Sequence, residues 1–409
     1  MGNTVQNAVT SSSVSPPNPL TSQVDSSGRT LGILAVAAGL GVANLYYAQP
    51  LAATMAQSIG VTERSMGAAL MLSQLGYALG MILLVPLGDG RERRSVMVWT
   101  ASAATLALVL MAVAPNYLAL AATSFALGFT SALPQMIVPF ACGVVPSEAR
   151  GRAIGIVMGG LLAGVLLSRM GSGTLASVVG WRLTFVGAAG IMASLTLVLR
   201  FALPRQLPPE KLAWTTIMAS LGNVLRGEPL LQRHAIVGAM GFATFSVFWS
   251  TLSFHLARLG DGSQVAGMFG AIGIVGVAMA PLVGRSAGRI RPTLINAVAL
   301  AAAGASYAVF YVGARSLWAL GFGVVLLDAG IQSSHLANQT VIFGLRPALR
   351  NRLNAVYMVT YFLGGALGTA IASFAWSRAG WPGVCTAGGV LSFAGILPLV
   401  LVRSRAPTV

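Results

Sequence analysis

Twelve apolar runs occupy most of this chain, at about 31–54, 66–87, 95–114, 117–145, 153–176, 183–203, 233–256, 265–284, 294–313, 317–343, 354–377 and 383–402. A run of roughly 17–25 apolar residues is what an α-helix needs to cross the ~30 Å hydrocarbon core of a bilayer. Inside lipid the backbone must satisfy its own hydrogen bonds, so runs of this kind become bundled helices. The fourth and tenth runs are long enough to require tilt or a protruding end. Composition agrees: 56% of the 409 residues are hydrophobic and 8% are charged, against about 25% charged in a soluble domain. The expectation is an all-α membrane protein with twelve transmembrane helices.

The net charge of +16 would point to nucleic acid in a soluble protein. Here the basic residues are scattered between apolar runs instead of forming a patch, so no nucleic-acid partner is expected and the charges read as topology signals. With the N-terminus inside, nineteen of the 25 basic residues fall in cytoplasmic segments; Arg64, Arg182, Arg258, Arg315 and Arg378 fall outside, and Arg169 lies within the fifth run. Both termini are therefore expected in the cytoplasm of a cell-membrane protein, the inner membrane if the source is Gram-negative. Residues 1–29, rich in Ser, Pro, Asn and Thr, lack a charged segment followed by an apolar core and read as a disordered tail, not a signal peptide. Residues 403–409 form the other tail. A reporter fused after Arg205 should read cytoplasmic, and one inserted between Arg258 and Gln264 external; opposite readings would overturn the map.

The chain also echoes itself. Arg150-Gly151-Arg152, an apolar glycine-bearing run and Gly180-Trp181-Arg182 recur as Arg350-Asn351-Arg352, a similar run and Gly380-Trp381-Pro382. Val85-Pro86-Leu87-Gly88 recurs as Ala280-Pro281-Leu282-Val283. The chain thus divides into two six-helix pseudo-repeats, 30–203 and 233–402, joined by a cytoplasmic loop, 204–232. Within that loop Trp214, Ile217, Leu221 and Val224 recur at helical spacing, compatible with a short surface helix or an ordinary linker. Repeated apolar halves mark secondary transporters, whose substrate binds near mid-membrane between the repeats.

Six plus six spans, cytoplasmic termini and a central loop resemble the major facilitator superfamily. Its pattern between the second and third spans is a Gly, three residues, Asp, a basic residue, any residue, Gly and two basic residues. This chain has Val85, Asp89, Gly90, Glu92, Arg93 and Arg94 at the corresponding places. The Asp and the paired arginines match; both glycines and the first basic residue do not. Asn44-Leu45-Tyr46-Tyr47-Ala48-Gln49-Pro50 and Gly76-Tyr77-Ala78-Leu79-Gly80 are similar to phrases in the bacterial drug–proton antiporter and exporter branch. Two hallmarks of that branch are altered. Ser124 stands where an Arg precedes Gly128, and Gly155, Gly159, Gly160 and Gly164 lack the accompanying proline. The resemblance implies the major facilitator fold, alternating access, a small-molecule substrate, protons as coupling ion, and a cytoplasmic gate at Asp89, Arg93 and Arg94.

Of nine acidic residues only Asp328 lies well inside a run, the tenth. A charged side chain there costs roughly 2.5–3.5 kcal/mol on insertion scales, so intramembrane carboxylates are retained for function or held by a partner. Gln332, His335 and Gln339 follow at i+4, i+7 and i+11, within about 40° of Asp328 at 100° per residue. One reading makes Asp328 the proton carrier, with His335 as relay or substrate contact; the other makes Asp328 a structural partner. Arg169 shares a face with Gly155, Gly159 and Gly173, glycines that would let a neighbouring helix pack closely. It would bind an anionic group, pair with Asp328, or snorkel to the outer headgroups. Asn44, Tyr47, Gln49, Gln74, Tyr77, Gln135 and Asn338 are uncharged polar residues within runs, either lining a substrate cavity or bridging helices. Phe242, Phe245 and Trp249, at i, i+3 and i+7, read as packing or lipid contact in preference to a substrate cage.

Cys142 and Cys385 both sit in apolar runs and imply no disulfide framework. The three histidines lie on different helices or depths, and no nucleotide loop or catalytic triad occurs. Neither cofactor, metal nor enzymatic activity is expected. The readings that remain are a proton-driven exporter acting as a monomer in the bilayer, an importer or facilitator of a small organic anion anchored by Arg169, and a non-transporting membrane sensor.

Overall fold

The computed structural model describes residues 19–207, 214–276, 278, 279, 283, 290–346 and 349–401. Among them the regular structure is helical: α1 Pro19–Ala43, α2 Ala52–Ile59, α3 Glu63–Leu83, α4 Leu87–Gly90, α5 Arg93–Ala112, α6 Tyr117–Thr130, α7 Leu133–Gly143 and α8 Arg150–Ala202 precede the central loop. Within and beyond it come α9 Trp214–Gly227, α10 Pro229–Leu259, α11 Ser263–Ile272, α12 Pro292–Val312, α13 Leu317–Leu345, α14 Arg350–Ala394 and α15 Leu397–Leu401. Side-chain caps set several starts. Thr62, Glu92, Asn116 and Ser316 accept hydrogen bonds from the backbone N–H groups of Ser65, Ser95, Ala119 and Ala319, satisfying donors that a helix start leaves free.

Eight helical segments of the described residues are long and apolar enough to cross a membrane. Two of them exceed any bilayer. The 53 residues of α8 would extend about 80 Å at 1.5 Å per residue. Both α8 and α14 break at a glycine, Gly180 (φ 82°, ψ 162°) and Gly380 (φ 59°, ψ −144°), in conformations that a Cβ would strain. Each therefore carries two of the expected apolar runs. The other positive-φ glycines, Gly60 and Gly260, end α2 and α10, again 200 positions apart. Helix starts keep the same offset at Tyr117 and Leu317, and at Arg150 and Arg350.

The structure corrects several boundaries. Helix α1 begins at Pro19, inside the segment expected to be a disordered tail; residues 1–18 lie outside the described residues. The first run is not one helix, because α1 stops at Ala43 and turns occupy 44–51 before α2 begins. Pro50 explains this: it has no N–H to donate, and it disfavours helical geometry at Gln49. The fourth run divides at Ser131, whose hydroxyl bonds back to the Leu127 carbonyl at 2.6 Å and so competes with the helical ladder. The inner end of the eighth run, the Arg285 and Arg289 that follow it, and the tail 403–409 lie outside the described residues. In the central loop α9 does form, and buried Val224 joins a cluster with Leu353 and Tyr357 of α14.

Glycine packing also differs from expectation. A Cβ on Gly155 or Gly159 would meet nothing within 4 Å. The close approaches are one helix face away, where Cβ atoms on Gly160 and Gly164 would lie 2.2 Å from the carbonyl oxygens of Ala35 and Gly39 in α1. Gly173 packs the other way, against α11: its Cβ would lie 2.4 Å from Ser263 O and 2.8 Å from Gly267 Cα.

Contacts between the segments before and after the central loop run from the ends expected to face outward down to mid-helix. Glu63 pairs with Arg258 at 2.9 Å, the Arg258 guanidinium lies 4.3 Å from the Trp376 ring centre, and the Trp376 indole N–H donates to Glu63 at 2.5 Å. Ser263 Oγ donates to Gly173 O at 3.2 Å. Deeper in, Gln74 Nε2 donates to Thr369 Oγ1 at 2.9 Å, and the rings of Tyr77 and Phe362 are 4.2 Å apart. The pairs track antiparallel packing of α3 on α14, which closes the end expected to face outward.

Candidate functional site

The interruption at 44–51 builds one wall of a polar centre. Its turn holds Gln49, which is 7% exposed, and aims Gln49 Oε1 at α8, where it accepts from Arg169 Nε at 2.9 Å. Arg169 is 2% exposed, so it does not snorkel to the headgroups. Its guanidinium lies 3.9 Å from the ring centre of Trp249, 4.6 Å from that of Tyr46 and 5.4 Å from that of Phe245. Aromatic faces carry negative potential, and such a contact stabilises a cation by about 0.5–1 kcal/mol at an exposed site and about 2 kcal/mol or more when it is desolvated.

Asp328, on α13, is 4% exposed and accepts from Trp249 Nε1 at 3.4 Å through Oδ1. Trp249 therefore serves both charges, its ring face against Arg169 and its N–H toward Asp328. Ion pairs among the described residues include Glu92–Arg94, Glu63–Arg258 and Glu228–Arg346; Arg169 and Asp328 are not paired with each other. The direct pairing of these two charges is thus not the arrangement observed. An indole bridges them.

Helix α11 and the segment that continues it to Gly276 pass between the two charges through glycines at three-residue spacing. A Cβ on Gly270 would lie 2.6 Å from Arg169 Cβ. On Gly273 it would lie 3.1 Å from Asp328 Oδ2, and on Gly276 2.8 Å from Gln332 Cγ. Spacing of three drifts by about 60° per step around a helix, so the ladder faces α8 at its start and α13 at its end. These glycines, with Tyr46 and Ser253, are site residues that sequence reasoning missed. The three-residue glycine repeat was the available signal.

The other expected residues divide. His335 Nδ1 and the Tyr357 hydroxyl are hydrogen-bonded at 2.9 Å, and its ring centre is 4.7 Å from that of Tyr361. It lies seven residues from Asp328, about 10 Å along the axis, and partners the Tyr357 hydroxyl and the Tyr361 ring instead of that carboxylate. Gln339 Nε2 reaches Asn354 Oδ1 at 3.5 Å, and half-buried Gln332 lines the α11 contact. Asn44 is buried with its Nδ2 3.8 Å from Met192 Sδ, and Tyr47 is half-buried. Gln74 bridges to Thr369, Gln135 Nε2 donates to the Tyr77 hydroxyl at 3.3 Å, and Asn338 Oδ1 bonds His234 Nδ1 at 2.7 Å. These are helix-to-helix ties. The Phe242–Phe245–Trp249 stripe faces inward: Phe242 stacks on Tyr361 at 4.2 Å, and Phe245 and Trp249 hold Arg169.

At the opposite end, Arg93 donates to the carbonyls of Gly88 and Pro139, each at 3.4 Å. Arg94 Nη1 donates to Arg200 O at 3.3 Å and Leu203 O at 3.1 Å. Arginines at helix C-terminal carbonyls complement the negative end of the helix dipole. Burial pushes the Glu92 carboxyl up, but hydrogen bonds from Ser95 and Gln206 and the Arg94 charge outweigh it and hold Glu92 below the usual range. The Asp89 side chain lies outside the described residues.

The family model of the Major Facilitator Superfamily matches residues 31–347. The Uncharacterized transporter YgaY of Escherichia coli O157:H7 is 35% identical over 369 residues, covering 89% of this chain and 93% of the relative. The chloramphenicol efflux pump MT0201 of Mycobacterium tuberculosis is 26% identical over 285 residues, 68% of this chain and 67% of the relative. A solved mutant of the nucleoside transporter NupG superimposes with a TM-score of 0.76 at 13% identity, covering 92% of this chain and 98% of that one, a likeness of fold.

Proposed function

Because this chain belongs to the Major Facilitator Superfamily, and is therefore an integral membrane transporter, we propose that it moves a small molecule outward in exchange for protons by alternating access. The observation that carries this reading is the buried Asp328, bridged through Trp249 to Arg169 across the contact between the two halves. A carboxylate placed between two moving halves experiences different surroundings in each conformer, so a proton bound on one side is released on the other. Export is supported by the resemblance to the antiporter branch and by the efflux pump among its relatives. The paired breaks at Gly180 and Gly380 and the common offset of the helix starts support twelve crossings in two six-helix halves. Both termini then face the cytoplasm, in a cell membrane that is the inner one in a Gram-negative source. Asp89, Arg93 and Arg94 form the cytoplasmic gate, the arginines tying helix-end carbonyls of the first half together at its rim.

The test uses vesicles containing the purified protein and a compound selected from a panel by thermal stabilisation. Imposing a pH gradient should drive that compound toward the acidic side while protons move the other way. Flux indifferent to the gradient would make the protein a facilitator. Binding without flux would make it a sensor.

A further inference from the structure

Two buried donors of this site have no acceptor. Arg169 and Ser253 are 2% and 3% exposed. Arg169 Nε is satisfied by Gln49, but Arg169 Nη2 and Ser253 Oγ have no hydrogen-bond partner. Both residues line one narrow crevice, whose walls also include Gln49, Pro50, Trp249 and Ala266. The crevice is too tight for a water molecule while the outward end is closed, so whatever satisfies these donors enters as the halves part. Guanidinium is donor-only and always charged, and the oxygen of Gln49 is already engaged, so the complement that this crevice lacks is an acceptor. Water would supply a hydrogen bond but no countercharge in contact with the guanidinium. Asp328 does not compensate it by contact, since the Trp249 indole stands between them. A carboxylate supplies both what is missing in hydrogen bonding and what is missing in charge.

We propose that the Gln49–Arg169–Trp249–Ser253 crevice is the subsite for a carboxylate group of the transported molecule. In the opened state one carboxylate oxygen accepts from Arg169 Nη2 and the other from Ser253 Oγ, beside the apolar surfaces of Trp249, Pro50 and Leu252. This deepens the transport reading on which it rests, and it constrains the coupling. A cargo carrying only a carboxylate draws on the charge that otherwise favours ionised Asp328, so it loads together with a proton and travels with it. Outward exchange against protons requires, on the same molecule, a cationic group that displaces the proton from Asp328.

The probe is benzoate, titrated as its sodium salt onto the purified full chain and compared with sodium chloride at equal ionic strength. Benzoate should raise the melting temperature saturably in the wild type. Arg169→Gln should weaken its apparent affinity roughly tenfold or more, the scale of one lost charge-assisted hydrogen bond. Ser253→Ala, which removes only a hydroxyl, should weaken it several-fold without altering the melting temperature in chloride; this variant keeps the test open if Arg169→Gln fails to fold. Arg169→Lys should recover part of the affinity. Benzoate acting no differently from chloride on the wild type, or equally on wild type and Ser253→Ala, would overturn the subsite. Because binding is read without flux, a protein that binds benzoate here yet moves nothing across vesicles would keep the subsite and lose only the transport reading.

Discussion

Asp328→Asn is expected to fold, to bind its substrate, more weakly where a cationic group loses its countercharge, to exchange it across the membrane, and to lose all accumulation against a gradient. Asparagine keeps the shape of the side chain, and its oxygen still accepts from Trp249 Nε1, so the bridge to Arg169 survives. What it removes is titration. A pH difference of one unit supplies about 1.4 kcal/mol per proton, enough for tenfold accumulation of a cargo exchanged one for one. Without a titrating group the rocking motion continues, but nothing biases it, and the ratio of inside to outside concentration returns to one. The measurement is counterflow alongside pH-driven uptake in the same vesicles. Unchanged counterflow with abolished uptake is the expected pair. Accumulation equal to wild type would make Asp328 a structural anchor for Trp249 and move coupling to His335 or to no ion.

The second large effect is expected at Gly173, where α8 and α11 meet. A side chain there collides with Ser263 O and Gly267 Cα, backbone atoms that cannot rotate aside. Gly173→Val should therefore push the two helices apart and disfavour the outwardly closed state. Overpacking of this kind costs about 1–3 kcal/mol, which shifts a two-state equilibrium roughly 5- to 150-fold. Transport should stop although the protein still inserts. In a background with Cys142 and Cys385 replaced by Ala, a cysteine placed at Ala266 on the crevice wall should label much faster from outside with an impermeant maleimide. Gly155→Val, in open space, is the control and should label like wild type. Equal labelling in both would remove Gly173 from the closure.

The class of structure and the identity of its buried charged residues were legible in the amino-acid order alone. Apolar runs long enough to cross a bilayer require helices whatever surrounds them, because lipid offers the backbone no hydrogen bonds. The rarity of intramembrane charge picked out Asp328 and Arg169 before any contact was known. The recurrence around Gly180 and Gly380 lay in the sequence too, although the matching pair Gly60 and Gly260 emerged only from their backbone angles. Tertiary structure decided what the charges do. Periodicity assigns residues to one face of one helix and carries no information about which neighbour arrives there or at what height. It therefore left Arg169 free to snorkel, to meet Asp328 or to bind an anion, and it assigned Trp249 to packing. Only the break before Pro50, the α11 glycines and the register of α10 bring Gln49, Arg169, Trp249 and Asp328 together, because each contact joins residues from different helices, and the position of one helix against another is set by packing across the whole bundle.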